Sequence, residues 1–307
     1  MWFLLALACS EYDLERPVLG DGLAEDTAGG ANPLFEASDD QVIDAFDVAT
    51  QTDILVFGDT STSMEPELLT MNAHIEGLVT RLATFQSDWH LLAVTGPSGC
   101  SANGWSDAST PDWAGRFAQD LLTPPGADDV DEWGLNNVLA AAQNSGDGGC
   151  NEGFLRPNSL LHVIFVSDED DNSPGWENGG DYWKPYLDGL RALSNVKLSA
   201  VGGPVPEACD GAEPGHGYWE AVAASEGTFI SICSDWDQQI EDLANTSAEQ
   251  RSFTLTTLAV PGTVQVAVEG ELRDRGWTYD GALNKVVFDN SAPIAGQHVE
   301  IAYEPRP

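Results

Sequence analysis

The chain has 307 residues, and 12 Lys and Arg against 50 Asp and Glu give it a formal charge of −38. A surface this acidic repels phosphate backbones and anionic headgroups, which excludes nucleic acid, and leaves a lipid anchor as the only route to a membrane. Hydrophobic residues make up 42% of the chain, enough for a packed core, so disorder throughout is excluded too.

Met1 to Cys9 is apolar and ends in small residues before a cysteine. The run is far shorter than the ~20 residues a membrane-spanning helix needs, and residues 1–8 read as the end of a secretion signal. Leu5-Ala6-Leu7-Ala8-Cys9 resembles a bacterial lipobox. That resemblance implies Cys9 as the lipidated first residue of the mature chain, and Ser10 after it resembles an outer-membrane sorting preference. The expectation is an exported protein of the bacterial cell envelope, anchored by lipid at the outer membrane or secreted. Residues 9–50 read as an acidic flexible linker. Near its end Val42, Ile43, Phe46 and Val48 offer enough apolar surface to dock on the domain beginning at residue 51.

From Asp53 the chain alternates strand and helix. Ile54 to Phe57 reads as a strand buried on both faces and ends at Gly58. It delivers Asp59, Ser61 and Ser63, a D-x-S-x-S turn, to the strand's carboxyl end. In an open α/β sheet ligands sit at that edge. One carboxylate and two hydroxyls form an all-oxygen cluster that suits a hard divalent cation better than zinc or copper. The plainer reading is a Ser/Thr-rich turn capping the next helix. Pro66 to Phe85 has helical spacing, and Trp89 to Thr95 is the second strand. Pro97 to Gly126 is a long loop with Cys100, Trp105 and Trp113, either functional or pinned down. Asp131 to Asn144 reads as a helix. The strand Leu160 to Val166 then empties into Ser167-Asp168-Glu169-Asp170-Asp171. Trp183 to Leu193, Tyr218 to Ser225 and Asp235 to Ala248 read as helices, and Val196 to Val201 and Thr228 to Ile232 as strands. Repeated βα units predict an α/β fold over residues 51–250, a doubly wound, mostly parallel sheet with helices on both faces. Residues 251–307 change to short alternating runs and read as a small β-sandwich-like domain, marginal alone.

Two acidic strand ends at one sheet edge favour a metal site over a capping turn. Together with Phe154-Leu155-Arg156-Pro157 before the 160–166 strand and the Ser231-Ile232-Cys233 to Trp236 corner, they resemble a von Willebrand factor A domain of the bacterial secreted or lipoprotein type. The resemblance implies a metal-ion-dependent adhesion site in which Asp59, Ser61, Ser63 and Asp168 surround one divalent cation, Mg²⁺ or Ca²⁺. The family's threonine ligand has no clear counterpart. Its place falls near Asp131-Glu132-Trp133, where Glu132 or water could substitute, and an added carboxylate would favour Ca²⁺. The implied function is metal-dependent adhesion or recognition of a protein or surface ligand. Neutral serines leave the cation under-neutralised, so an acidic group from the partner completes its shell. No evident base activates water, which argues against an enzyme. One rival is a phosphoesterase holding two metals on Asp59 and the Asp168 to Asp171 cluster. Another is an envelope scaffold with a merely structural metal.

With Cys9 set aside, four cysteines remain and allow three connectivities. Cys209 and Cys233 each follow a predicted strand and emerge at one sheet edge, which pairs them and leaves Cys100 with Cys150 to staple the long loop. Zinc is the alternative, although no close C-x-x-C spacing occurs. The five histidines are scattered, and His162, inside a strand, reads as a core residue rather than a general base.

Overall fold

The computed structural model describes residues 41–306 except 86, 123–132, 158, 249, 251 and 289–291. Cys9, the signal and linker residues before 41, and Glu132 lie outside the described residues.

Five strands, β2 (Gln51–Gly58), β3 (Asp88–Val94), β4 (Leu160–Val166), β5 (Asn195–Gly202) and β6 (Phe229–Ser231), form a parallel sheet in the order β3-β2-β4-β5-β6. Residues alternate faces along a strand, so each apolar run supplies both layers of the core. Ile54, Val56, Ile164 and Val166 face one layer with α1 (Glu65–Thr84), α2 (Trp113–Leu122) and α6 (Ile240–Ala248). Leu55, Phe57, Val163 and Phe165 face the other with α3 (Gly134–Gln143), α4 (Lys184–Arg191) and α5 (Tyr218–Ser225). The helices are amphipathic; Met71, Ile75, Leu78 and Leu82 recur at helical spacing along α1 and are all buried. This is the doubly wound α/β architecture expected from the sequence.

The long loop after β3 is pinned. Leu91 and Ser106 exchange two backbone hydrogen bonds of 2.8 Å, and Cys100–Cys150 ties the loop to the segment beyond α3. The buried Asp120 carboxylate accepts from the Ser101 hydroxyl at 2.7 Å and from the Asn103 amide N–H at 3.1 Å. Gly99 sits at φ +63°, and a Cβ there would lie 2.4 Å from the Ala141 backbone nitrogen, so only glycine lets the loop close on α3. α2 occupies part of the stretch expected to be loop. Trp113, Phe117 and Leu121 recur every fourth residue and pack on the α1 layer, a signal masked by the surrounding Gly, Ser and Pro.

Residues 42–47, expected at the end of the flexible linker, instead form β1 (Val42–Asp47). This strand pairs antiparallel with the last, β12 (His298–Tyr303), in a sheet of order β1-β12-β8-β9, with β8 (Gln265–Val268) and β9 (Glu271–Leu272). A second sheet runs β10 (Trp277–Asp280), β11 (Lys285–Phe288), β7 (Ser252–Thr254). Phe253, Val286 and Phe288 from this sheet and Val266, Val299 and Ile301 from the other share one buried core, against which Val42 and Phe46 also pack. The tail is marginal alone because its apolar set is incomplete, and β1 supplies what is missing. The α/β part is therefore inserted between the first and second strands of a β-sandwich.

Among the polar side chains buried in the α/β part, His162 and Asp53 are completely shielded from solvent. His162 is fully buried on β4; its Nδ1 meets the Ser247 hydroxyl of α6 and its Nε2 lies 2.7 Å from the Ser199 hydroxyl of β5. Burial, aided by Lys197, pushes its imidazole down to about 3. The unfolded chain takes up a proton below about pH 6.5 while the folded one does not. The stabilisation is thus fully present above pH 6.5 and is lost towards pH 3, by about 1.4 kcal/mol per unit from this residue. Denaturant unfolding of wild type and His162→Gln between pH 7 and 4 checks it. The variant is expected to show the shallower dependence, and parallel curves would refute the assignment. Asp53 lies at the amino end of β2, and its carboxylate accepts from Arg156 Nε at 2.7 Å, the Arg156 backbone N–H at 2.7 Å and the Ser159 hydroxyl at 2.5 Å.

Candidate metal site at the carboxyl edge of the sheet

β2 and β4 are neighbours with Gly58 opposite Val166, and the Asp59 N–H donates to the Val166 carbonyl at 3.0 Å. The chain winds from β2 outward to β3, then crosses back to β4 on the other side of β2. The strand order therefore reverses between β2 and β4, and a crevice opens beyond their carboxyl ends. The two acidic strand ends noted in the sequence meet at this switch point.

Asp59 is 2% exposed. Its Oδ1 accepts from the Ser61 N–H at 2.7 Å and its Oδ2 from the Ser167 hydroxyl at 2.8 Å. Burial pushes the Asp59 carboxyl above its ordinary value, these hydrogen bonds pull it down, and the neighbouring Asp168 charge pushes it up again. The Ser61 and Ser63 hydroxyl oxygens lie 3.0 Å apart, Ser61 half-buried and Ser63 exposed. They sit where the chain enters a 3-10 turn (Thr62–Met64) leading directly into α1. Neither hydroxyl caps the helix, which removes the plainer reading of the D-x-S-x-S turn. Ser167 was not singled out in the sequence; its position before Asp168 at the end of a buried strand is the only signal it gives.

Asp168 is 8% exposed, and its Oδ1 is buried without a hydrogen-bond partner. Its backbone carbonyl accepts from the Glu213 N–H at 2.7 Å. An unsatisfied buried acceptor costs about 1–3 kcal/mol, and more when charged. A carboxylate oxygen left without a donor, electrostatically coupled to a second buried carboxylate, is what a cation would satisfy. The residues present fit a hard divalent ion: two carboxylates and two hydroxyls, all oxygen. Among the described residues no group of three or more His, Cys, Asp and Glu converges to hold a metal, so a cation here would rely on hydroxyl and water oxygens as well.

The rest of the acidic run is committed elsewhere. Asp171 is 1% exposed, and its Oδ1 accepts from the Leu135 N–H and the Ser173 hydroxyl, each at 2.9 Å. It supplies a cap that α3 lacks in its own sequence. Burial pushes its carboxyl up to about 6. Asp170 Oδ1 accepts from the His216 N–H at 2.8 Å. The run is therefore a brace, with Asp168 turned to the crevice and Asp170 and Asp171 holding neighbouring segments. Its support is the 203–217 loop: Asp171 N–H donates to the His216 carbonyl at 3.0 Å, and the Tyr182 hydroxyl donates to the Asp171 carbonyl at 2.6 Å. Gly217 packs so closely that a Cβ would lie 2.1 Å from the Tyr182 hydroxyl. Cys209–Cys233 ties this loop to the segment after β6. Both disulfides expected from the sequence are formed, which leaves those four thiols unable to bind zinc.

No protein-family model matches the chain, and no curated protein sequence matches it. Solved structures do. A von Willebrand factor type A structure from Catenulispora acidiphila is 12% identical, covering 87% of this chain and 66% of that one, with a TM-score of 0.40. Proximal thread matrix protein 1 from the mussel byssus is 17% identical, covering 69% of this chain and 51% of that one, with a TM-score of 0.41. A further structure of that byssus protein is described as having a zinc-occupied MIDAS motif. The pilus adhesin SpaC from Lactobacillus rhamnosus GG is 12% identical, covering 86% of this chain and 40% of that one, with a TM-score of 0.35. This chain spans two thirds or less of the length of each of these structures. Von Willebrand factor type A structures are thus among those to which the chain is similar.

Proposed function

We propose that this chain is an exported, non-enzymatic recognition protein of the von Willebrand factor A type, binding a protein or surface ligand through one divalent cation. Asp59, Ser61, Ser63 and Asp168 would hold that cation, Mg²⁺ or Ca²⁺. The observation that carries the reading is the partnerless, buried Oδ1 of Asp168 beside the buried Asp59. When bound, the ion would offer a coordination position, not filled by the two carboxylates and two hydroxyls, to an acidic group of a partner. The chain's own residues do the rest. Ser167 and the Ser61 N–H fix the Asp59 carboxylate, and the Asp170–Asp171 brace fixes the loop that carries Asp168. Export agrees with two disulfides, which persist in oxidising compartments. Among the described residues no helix is long and apolar enough to cross a membrane. The anchor in this reading is a lipid on Cys9.

The test is capture of partners from cell-envelope extract on immobilised protein, with Mg²⁺, with Ca²⁺ and with EDTA, beside Asp59→Ala. Proteins retained with metal, released by EDTA and absent from the Asp59→Ala column are expected. The same set on every column would overturn metal-dependent recognition. Hydrolysis of an aryl phosphate that requires added metal and is lost in Asp59→Ala would replace it with the phosphoesterase.

A further inference from the structure

The 203–217 loop runs from the end of β5 to the start of α5. Its neck is closed by the Gly215 N–H, which donates to the Gly203 carbonyl at 2.8 Å. Beyond the neck, no backbone hydrogen bond among the described residues joins residues 204–212 to the rest of the chain. Pro206, Glu207, Cys209, Asp210 and Gly211 are exposed. The Cys209–Cys233 disulfide makes the connection that the backbone does not, and the Cys209 N–H donates to Cys233 Sγ at 3.2 Å.

The corner holding the other sulfur is firmly built. The Ile232 N–H donates to the Gly202 carbonyl at 2.9 Å, and the Ser234 hydroxyl to the Ser231 carbonyl at 2.7 Å. Trp236, just beyond, is buried in the layer that α1 and α6 share. The disulfide therefore fastens an exposed loop to a fixed point. From that loop the Glu213 N–H holds the Asp168 carbonyl at 2.7 Å, and the His216 N–H holds Asp170 at 2.8 Å. No hydrogen bond restrains Asp168 Oδ1, so its backbone attachment to the loop is what aims it. The Cys100–Cys150 bond closes a longer span, 50 residues against 24. It lies by the last turn of α3, where Asn151 Nδ2 donates to the Ala141 carbonyl. Asp171 braces the other end of that helix.

We propose that Cys209–Cys233 is a positioning crosslink for the candidate metal site, which holds Asp168 in place and thereby sets the site's preference between Mg²⁺ and Ca²⁺. The inference rests on the cation reading given above. Mg²⁺ demands near-ideal octahedral geometry, whereas Ca²⁺ tolerates variable ligand number and angle. A carboxylate whose support has loosened should therefore cost Mg²⁺ more than Ca²⁺.

The experiment is calorimetric titration of the full chain with each cation. Cys209→Ser with Cys233→Ser is expected to weaken Mg²⁺ by about tenfold, the low end of what outer-shell partners contribute, and Ca²⁺ by less. Cys100→Ser with Cys150→Ser should leave both affinities unchanged, although it too removes a disulfide. In that second variant, dithiothreitol opens Cys209–Cys233 to two thiols and is itself oxidised to the cyclic disulfide. Mg²⁺ affinity should fall on opening and return on reoxidation, which compares one sequence with and without one bond. Circular dichroism and thermal unfolding in EDTA show that each protein titrated is folded. A wild type that binds neither cation would overturn the metal site itself. A wild type that binds, with the Cys209→Ser/Cys233→Ser chain matching it or losing both cations equally, would overturn the role of the disulfide alone. So would an Mg²⁺ affinity indifferent to opening and reclosure.

Discussion

Arg156→Ala is expected to destabilise the folded chain by about 3–5 kcal/mol, the cost of leaving a buried charge without its partner. Asp53 is wholly buried, and Arg156 reaches it with both Nε and its backbone N–H, each at 2.7 Å. The same guanidinium donates from Nη1 to Asp88 at 2.7 Å and from Nη2 to the Thr52 and Asp88 carbonyls at 3.2 and 3.1 Å. One side chain thus ties the starts of β2 and β3 to the segment before β4. Asp88 is exposed, so its share is small; the Asp53 pair dominates. Adding Asp53→Asn to Arg156→Ala removes the stranded charge and should recover part of the loss. Chemical denaturation of the three proteins measures it. A loss of under about 1 kcal/mol, the range of a surface pair, would mean that Asp53 does not need Arg156.

The largest expected effect on binding is that of Asp59→Ala on the divalent cation. Removing an outer-shell partner typically costs 10–100-fold in metal affinity, and Asp59 would be a charged ligand, so its loss should exceed that range. Ser61→Ala and Ser63→Ala each delete a neutral oxygen and should weaken binding less. Asp168→Asn should weaken binding too, yet raise the stability of the metal-free protein by relieving repulsion between two buried carboxylates. Calorimetric titration with Mg²⁺ and Ca²⁺, plus thermal unfolding in EDTA, separates these outcomes. Indistinguishable titrations of wild type and Asp59→Ala would remove the site.

Elements with one dominant pattern were legible in the sequence. β2, β4 and β5 announce themselves as short apolar runs, α5 has the expected bounds, and the D-x-S-x-S turn points to the carboxyl edge of the sheet. What was not legible depends on distant partners. Val42 to Asp47 has no strand signature until β12 is placed beside it, since pairing rather than propensity makes β1 a strand. Asp171 looks like one more member of an acidic run, and only the position of α3 reveals it as a cap. Nor could spacing show that Asp53 needs Arg156, because 103 residues separate them.

The pairing of β1 with β12 also sets an order of assembly. Asp44 and Tyr303 share a hydrogen bond of 2.8 Å across 259 residues of chain, so this sandwich cannot close until the last strand has been made. An unfolded chain closing so long a loop spends entropy before any contact rewards it. The inserted α/β part removes that burden if it folds first, because only a few residues join it to β1 on one side and to β7 on the other. Once formed, it holds the two distant ends of the chain near each other, and the sandwich becomes a local event. A chain cut before His298 would therefore keep its parallel sheet and lose the sandwich as a unit.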